Sequence, residues 1–289
     1  MKPSPSQSST LKWIDPQWLK SNLDSLKPSI IDCQPEVYDY IKGHIPGAVY
    51  INEQHFRHYS KNLPTVFSSV NMIENLLSSA SISNSRPLVV YGSNGLSTNC
   101  GDGLEQSMVA YSLVRYGHKD VYLLDGGLEK WISEGLELIS DYPEVPQTEF
   151  VPLVKSELFV NYKQLLELIN YPGVALVDVR PRTVYEGQGI WPKPGHIPGA
   201  VSLPWRVLMD HDNPRLLRPD PQIKELANTR GITPDKTVIL YCGTGREATS
   251  AFLIFKYLLD YPNVAIYEGS FTEWCQYPQN KTVTGPNPS

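Results

Sequence analysis

The heptapeptide GHIPGAV occurs twice in this chain, at residues 43–49 and 195–201, with His44 and His196 152 residues apart. That period is too long for a solenoid unit and suits a duplicated domain. Three further pairs keep the same order around it. IIDCQPEVYDY (30–40) pairs with LVDVRPRTVYE (176–186), VVYGSNG (89–95) with ILYCGTG (239–245), and DGGLEKW (125–131) with EGSFTEW (268–274). The chain is therefore read as two copies of one folding pattern.

Within each copy short apolar runs alternate with helical patterns. In the second, strands are predicted at 175–179, 200–203, 237–241 and 264–267, and helices around 162–169, 221–229 and 247–259. Such alternation, with near-continuous apolar strands, implies an α/β fold whose mainly parallel sheet is covered on both faces. The stretch 140–158 has three prolines and no clean periodicity, and reads as a linker. Domains are expected at 10–139 and 159–285. The 289 residues suffice for both, each burying roughly two-thirds of its unfolded surface.

Composition excludes several function classes. A net charge of −5 without a long Lys/Arg run argues against nucleic-acid binding. No run of about twenty apolar residues is present, so no membrane span is expected. The opening MKPSPSQSST has one lysine and no apolar core, and is read as a tail rather than a signal peptide. Cys33, Cys100, Cys242 and Cys275 are widely separated, form no C-x-x-C pair and have no histidine at ligand spacing. No metal site is expected, and a reducing, cytoplasmic setting with free thiols is.

Of the four thiols, Cys242 is placed for chemistry. It follows the apolar run 238–241 and precedes Ala248, Ala251, Phe252 and Phe255, which recur at helical spacing. A loop between strand end and helix start lies where open α/β sheets bind ligands. Gly243 and Gly245 allow backbone N–H groups to turn inward as a cup for an anion, and the helix start adds more. Arg246 and Glu247, at about 5 Å and an effective dielectric near 20, would each act on the sulfur by roughly 3 kcal/mol with opposite signs. The remaining backbone contribution, up to about 2 kcal/mol, predicts a moderately lowered thiol pKa.

These motifs together resemble the rhodanese family, and the whole chain is similar to the two-domain thiosulfate and 3-mercaptopyruvate sulfurtransferases. The resemblance rests on Asp178-Val179-Arg180, GHIPGAV, the cysteine loop after ILY, and the G-x4-W turn. It implies tandem rhodanese-like domains, each a mainly parallel sheet flanked by helices. It also implies that Cys242 takes sulfane sulfur as a persulfide and passes it to cyanide, a thiol or a thioredoxin-like acceptor, without a cofactor. Gly243, Thr244, Gly245, Arg246 and Glu247 would form the cradle. Arg182 and Lys193, between strand end and GHIPGA, are expected beside the substrate.

Departures from the family refine this. The cysteine position of the first half is Gly92, so that domain is read as non-catalytic. The inserted SNGLSTNCGDG holds Cys100 with no strand end to present it. Cys33, Cys275, Trp131 and Trp274 read as packing, and His44 and His196 as structural because both copies carry them. Asp178 and Arg180 read as braces of the strand end. A cysteine phosphatase would need arginine six residues after the cysteine, and Ala248 stands there. The Gly-Thr-Gly start resembles mercaptopyruvate enzymes. Val184, however, stands where these enzymes have an arginine, and Lys193 replaces a second one, removing bidentate clamps for a ketoacid carboxylate. Thiosulfate is therefore the expected donor, with 3-mercaptopyruvate, or a sulfur-carrier module without rapid turnover, as alternatives.

Overall fold

The computed structural model describes residues 10–60 and 63–289, so most of the N-terminal tail lies outside the described residues. The first half contains β1 (Leu11–Ile14), α1 (Pro16–Leu26), β2 (Ser29–Asp32), α2 (Val37–Lys42), β3 (Ala48–Tyr50), β4 (Arg57–Ser60), β5 (Leu63–Phe67), α3 (Val70–Ser79), β6 (Leu88–Tyr91), α4 (Glu105–Arg115), β7 (Val121–Leu124) and α5 (Gly127–Ser133). The second contains β8 (Phe159–Val160), α6 (Tyr162–Leu168), β9 (Val174–Asp178), α7 (Arg182–Glu186), β10 (Val201–Ser202), α8 (Asp220–Asn228), β11 (Thr237–Tyr241), α9 (Arg246–Leu253), β12 (Val264–Tyr267) and α10 (Ser270–Gln276).

The duplication seen in the sequence is a duplication of topology. One sheet runs β1-β7-β6-β2-β3 and the other β8-β12-β11-β9-β10, the same order in each copy. All of these pairings are parallel. The central strands β2, β6 and β7 are buried along their whole length, as a sheet covered on both faces requires. Each unit has its own core: Ile30, Val89, Tyr91, Leu124 and Trp131 in one, and Leu176, Ile239, Tyr241, Tyr267 and Trp274 in the other.

Local signals set the helix starts. Asp15 caps α1 by accepting from Trp18 N at 2.8 Å, with Pro16 opening the helix. Asn161 and Gln164 form a reciprocal capping box on α6. The helix behind the cysteine loop starts at Arg246 and passes into a π turn over Ile254–Leu258. Ala248, Ala251, Phe252 and Phe255 are fully buried on it.

Neither compact unit is contiguous in sequence. The first takes the described residues up to Arg57, then Phe67–Lys155 and Asp212–Leu217. The second takes His58–Val66, Ser156–His211 and Arg218–Ser289. Among the described residues no helix is long and apolar enough to cross a membrane, and no cluster of His, Cys, Asp and Glu is arranged to hold a metal ion.

Candidate active site

Cys242 sits immediately after β11, which is flanked by β9 and β12, at the carboxyl end of the sheet. The backbone beyond it is shaped from outside by α10. Phe271 N donates to Cys242 O at 2.9 Å, Thr272 N to Gly243 O at 3.1 Å, and Thr272 Oγ1 to the same carbonyl at 2.8 Å. Cys242 N donates to Ser270 Oγ at 3.3 Å. Thr65 Oγ1, from β5, donates to Thr244 O at 3.2 Å. With these carbonyls turned outward, the following amides turn inward. Gly245 N–H reaches Cys242 Sγ at 3.1 Å, and the N–H groups of Thr244, Glu247 and Ala248 also bond to the sulfur. Four amides thus converge on one atom, a nest for negative charge.

The two glycines have separate reasons. Gly245 caps α9 with φ +84°, a left-handed conformation costly for other residues. Gly243 is required by close approach: a Cβ there would lie 2.6 Å from Trp191 Cζ2. Trp191 is fixed over the loop by its Nε1–H bond to Thr272 Oγ1 at 2.8 Å. Its ring also packs against Phe271 and the Arg180 guanidinium.

The electrostatics correct the sequence-based expectation of a lowered thiol pKa. Cys242 is 1 % exposed, and burial, followed by the Glu247 charge, pushes the thiol up to about 11 despite the amides. Burial is the larger influence, and the Glu247 charge adds to it. Burial and the Asp178 charge raise the nearby Glu247 carboxyl group to about 7, while Cys242 and Arg180 act in the opposite direction.

Beneath the loop, Asp178 and Arg180 form a buried ion pair, with Nη2 to Oδ2 at 2.5 Å and Nε to Oδ1 at 2.9 Å. Arg180 Nη2 also donates to Gly195 O at 2.8 Å, tying the strand end to the GHIPGA turn. The pair braces β9, and the Arg180 charge acts on both Glu247 and Cys242. The first unit has the same brace with Gln34 in place of the arginine: its Nε2 donates to Asp32 Oδ2 at 2.9 Å and to Gly43 O at 3.1 Å. Without a cation, burial lifts Asp32 to about 7.

Two residues expected beside the substrate have other partners. Lys193 Nζ donates to the carbonyls of Tyr277, Pro278 and Asn280, at 2.6, 3.3 and 2.7 Å. Arg182 Nε pairs with Glu186 at 2.7 Å, and Arg182 lines a cavity of about 390 Å³ with Tyr185, Ser202 and Arg230. The repeated histidines are structural. His44 lies between the carbonyls of Tyr40 and Asp141, and His196 between those of Tyr185 and Asn287, each stacked on a tyrosine. Cys33 packs in the core, and Cys100 is exposed.

In the first unit the place of the cysteine cup is filled. Arg215 is fully buried there and donates to Ser93 O, Asn94 Oδ1 (2.8 Å) and Glu105 Oε2 (3.3 Å). A Cβ on Gly92 would point at Arg215 Nε, 3.5 Å away. A guanidinium thus occupies the position where the second unit holds its sulfur.

The Rhodanese-like domain family matches residues 15–134 and 161–277, four of the five strands of each sheet. The chain belongs to the rhodanese family. A Synechococcus elongatus protein given the provisional name thiosulfate sulfurtransferase is 34% identical over 92% of this chain and 83% of its own length. The sulfur carrier protein TtuD of Thermus thermophilus is 29% identical (90% and 92%), and the 3-mercaptopyruvate sulfurtransferase of Escherichia coli K12 is 26% identical (92% and 95%). Among solved structures, the anaerobic ergothioneine biosynthesis enzyme of Chlorobium limicola superposes with a TM-score of 0.81 at 23% identity, over 94% of this chain and 70% of that one. YnjE gives 0.79 at 26% (95% and 68%). The two parallel sheets flanked by helices are those of tandem rhodanese domains.

Sequence reasoning missed Trp191, Ser270, Thr272 and Arg215. The position of Ser270 and Thr272 inside the repeated G-x4-W turn was the available signal, since that turn packs on the loop. Nothing in the run DNPRLLRPD marked Arg215 as a residue of the first unit.

Proposed function

We propose that this rhodanese is a sulfurtransferase that carries sulfane sulfur from thiosulfate to cyanide or a thiol acceptor as a persulfide on Cys242. The observation that carries the reading is the ring of amide donors, from Thr244, Gly245, Glu247 and Ala248, around the sulfur. Such a ring stabilises an anion without reorganising during the reaction. The Cys242 sulfur attacks the outer sulfur of thiosulfate. The donor S–S bond breaks, and its electron pair leaves with sulfite. The persulfide anion stays in the cradle of Gly243, Thr244, Gly245, Arg246 and Glu247 until an acceptor attacks the outer sulfur and the bonding pair returns to Cys242. Every atom comes from donor, acceptor and Cys242.

Thiosulfate is favoured over 3-mercaptopyruvate by the engagement of Lys193. An ammonium bonded to three carbonyls is not available to clamp a ketoacid carboxylate. A second reading, a sulfur carrier with slow turnover, is supported by the thiol pushed up to about 11. The four free cysteines fit a reducing compartment such as the cytoplasm. Initial rates of thiocyanate formation from each donor test the reading. Faster turnover with thiosulfate supports it, far faster turnover with 3-mercaptopyruvate overturns the donor assignment, and stoichiometric loading without turnover assigns a carrier.

A further inference from the structure

The cavity of about 390 Å³ in the second unit takes no part in the sulfur chemistry, and none of its lining residues belongs to the loop 242–248. Two guanidinium groups line it, Arg182 at the start of α7 and Arg230 just past α8, and no Asp or Glu does. Arg230 is held by its Nε bond to Ser202 O at 3.0 Å and its Nη1 bond to Leu226 O at 2.8 Å. Arg182 uses only Nε, in an exposed pair with Glu186 that holds it weakly. Among the described residues, Arg230 Nη2 and both terminal nitrogens of Arg182 have no hydrogen-bond partner. Ser202 Oγ is buried in the same lining and is also unpartnered, a hydroxyl whose proton can turn to an incoming oxygen. The remaining walls are fixed in advance. Tyr185 donates its hydroxyl to Ala200 O at 2.7 Å, and the segment carrying Pro286 and Pro288 is tied down by Gly285 N to Glu186 O (2.9 Å) and Gly199 N to Pro288 O (2.8 Å).

We propose that this cavity binds the phosphate monoester of a small metabolite, at a site separate from the cysteine loop. Two guanidiniums without a lining carboxylate favour a dianion over a singly charged ligand, and their planar N–H forks match the oxygens of a phosphate. The volume falls within the range of small-molecule sites, about 300–1,000 Å³, and exceeds what inorganic phosphate alone would fill. Val201, Pro286 and Pro288 supply apolar surface for the organic part. Arg182, expected from the sequence beside the sulfur donor, is assigned to this site instead. Ser202 is the β10 partner of Asp178, so the site lies one strand from the Asp178–Arg180 brace.

The test is isothermal titration calorimetry of the full-length protein with phenyl phosphate, inorganic phosphate and benzoate. Phenyl phosphate is expected to bind one to one, about tenfold more tightly than inorganic phosphate, which has no apolar part to bury. Benzoate, with the same ring and a single charge, is expected to bind at least about tenfold more weakly than phenyl phosphate. Arg182→Ala and Arg230→Gln are each expected to weaken phenyl phosphate by about ten- to a hundredfold, the value of one charged hydrogen bond. Arg182 is exposed, so its variant is expected to melt as wild type does and decides the matter even if Arg230→Gln fails to fold. Arg246→Ala, which alters the anion cup of the cysteine loop, is expected to leave the affinity unchanged. The proposal is overturned if phenyl phosphate shows no saturable binding up to about 10 mM, or if Arg182→Ala binds it as wild type does. Loss of binding in Arg246→Ala would place the ligand on the cysteine loop and overturn it as well. Benzoate binding as tightly as phenyl phosphate would refute the phosphate assignment, and inorganic phosphate doing so would refute the organic part.

Discussion

Replacing Gly243 by alanine tests how the loop is held. The new Cβ would lie 2.6 Å from Trp191 Cζ2 and 3.0 Å from Cη2, against an optimum of roughly 3.5–4.0 Å between carbons. The indole must therefore retreat by about 1 Å. Retreat stretches the Nε1–H bond to Thr272, worth about 1 kcal/mol, and loosens the contact with Arg180, worth about 0.5–1 kcal/mol. Together with residual strain the cost is about 1–3 kcal/mol, or a melting-temperature loss of about 2–10 °C for a unit of this size. If the loop moves instead, the displacement of the sulfur slows loading by about a hundredfold. Thermal unfolding followed by circular dichroism, with the loading rate, reads both. Trp191→Phe removes the two clashing atoms, so Gly243→Ala in that background is expected to cost under about 0.5 kcal/mol. Equal costs in the two backgrounds would refute the steric account of this glycine.

Arg246→Ala is expected to lower kcat/KM for thiosulfate by about ten- to a hundredfold, the value of one charged hydrogen bond, and an unchanged ratio would place the donor elsewhere. Arg215→Ala removes a fully buried guanidinium and its bonds to Ser93 O, Asn94 Oδ1 and Glu105, and should destabilise the first unit by about 3–5 kcal/mol in urea unfolding, whereas a loss under 1 kcal/mol would contradict its role as a plug. Asp32 is raised in the folded state from 3.8 to about 7, so its contribution is fully present below about pH 4 and is lost as pH rises through 7. That difference is worth about 4 kcal/mol at most, and Glu247 adds a slope of the same sign. Asp32→Asn should therefore narrow the gap in stability between pH 5.5 and pH 8.5, and an unchanged gap would show that the carboxyl ionises freely.

Much of this architecture was legible because it is written locally. The run 237–241, the glycines after it and the helical spacing from Ala248 to Phe255 place Cys242 between a strand and a helix, which is where it lies. The twofold GHIPGAV and G-x4-W elements read out as one topology used twice. What failed to show depends on residues distant in sequence. The thiol was expected to have a moderately lowered pKa because the loop's amides are visible in the sequence, while the burial that outweighs them comes from tertiary packing that the local sequence does not show. Lys193 and Arg182 stand on the expected segment, but their side chains answer to the carbonyls of 277–280 and to Glu186, which spacing does not reveal. Arg215 belongs to the first unit although it lies between segments of the second, a long-range placement without a periodic signature.

The central claim is that Cys242 alone carries the transferred sulfur. Mass spectrometry of the protein after thiosulfate treatment tests it most directly. The account predicts one added sulfur, about 32 Da, on the peptide containing Cys242, discharged by cyanide and absent from Cys242→Ser, with Cys100→Ser loading as wild type does. Sulfur found on Cys100, or Cys242 left unmodified while thiocyanate is produced, would contradict it.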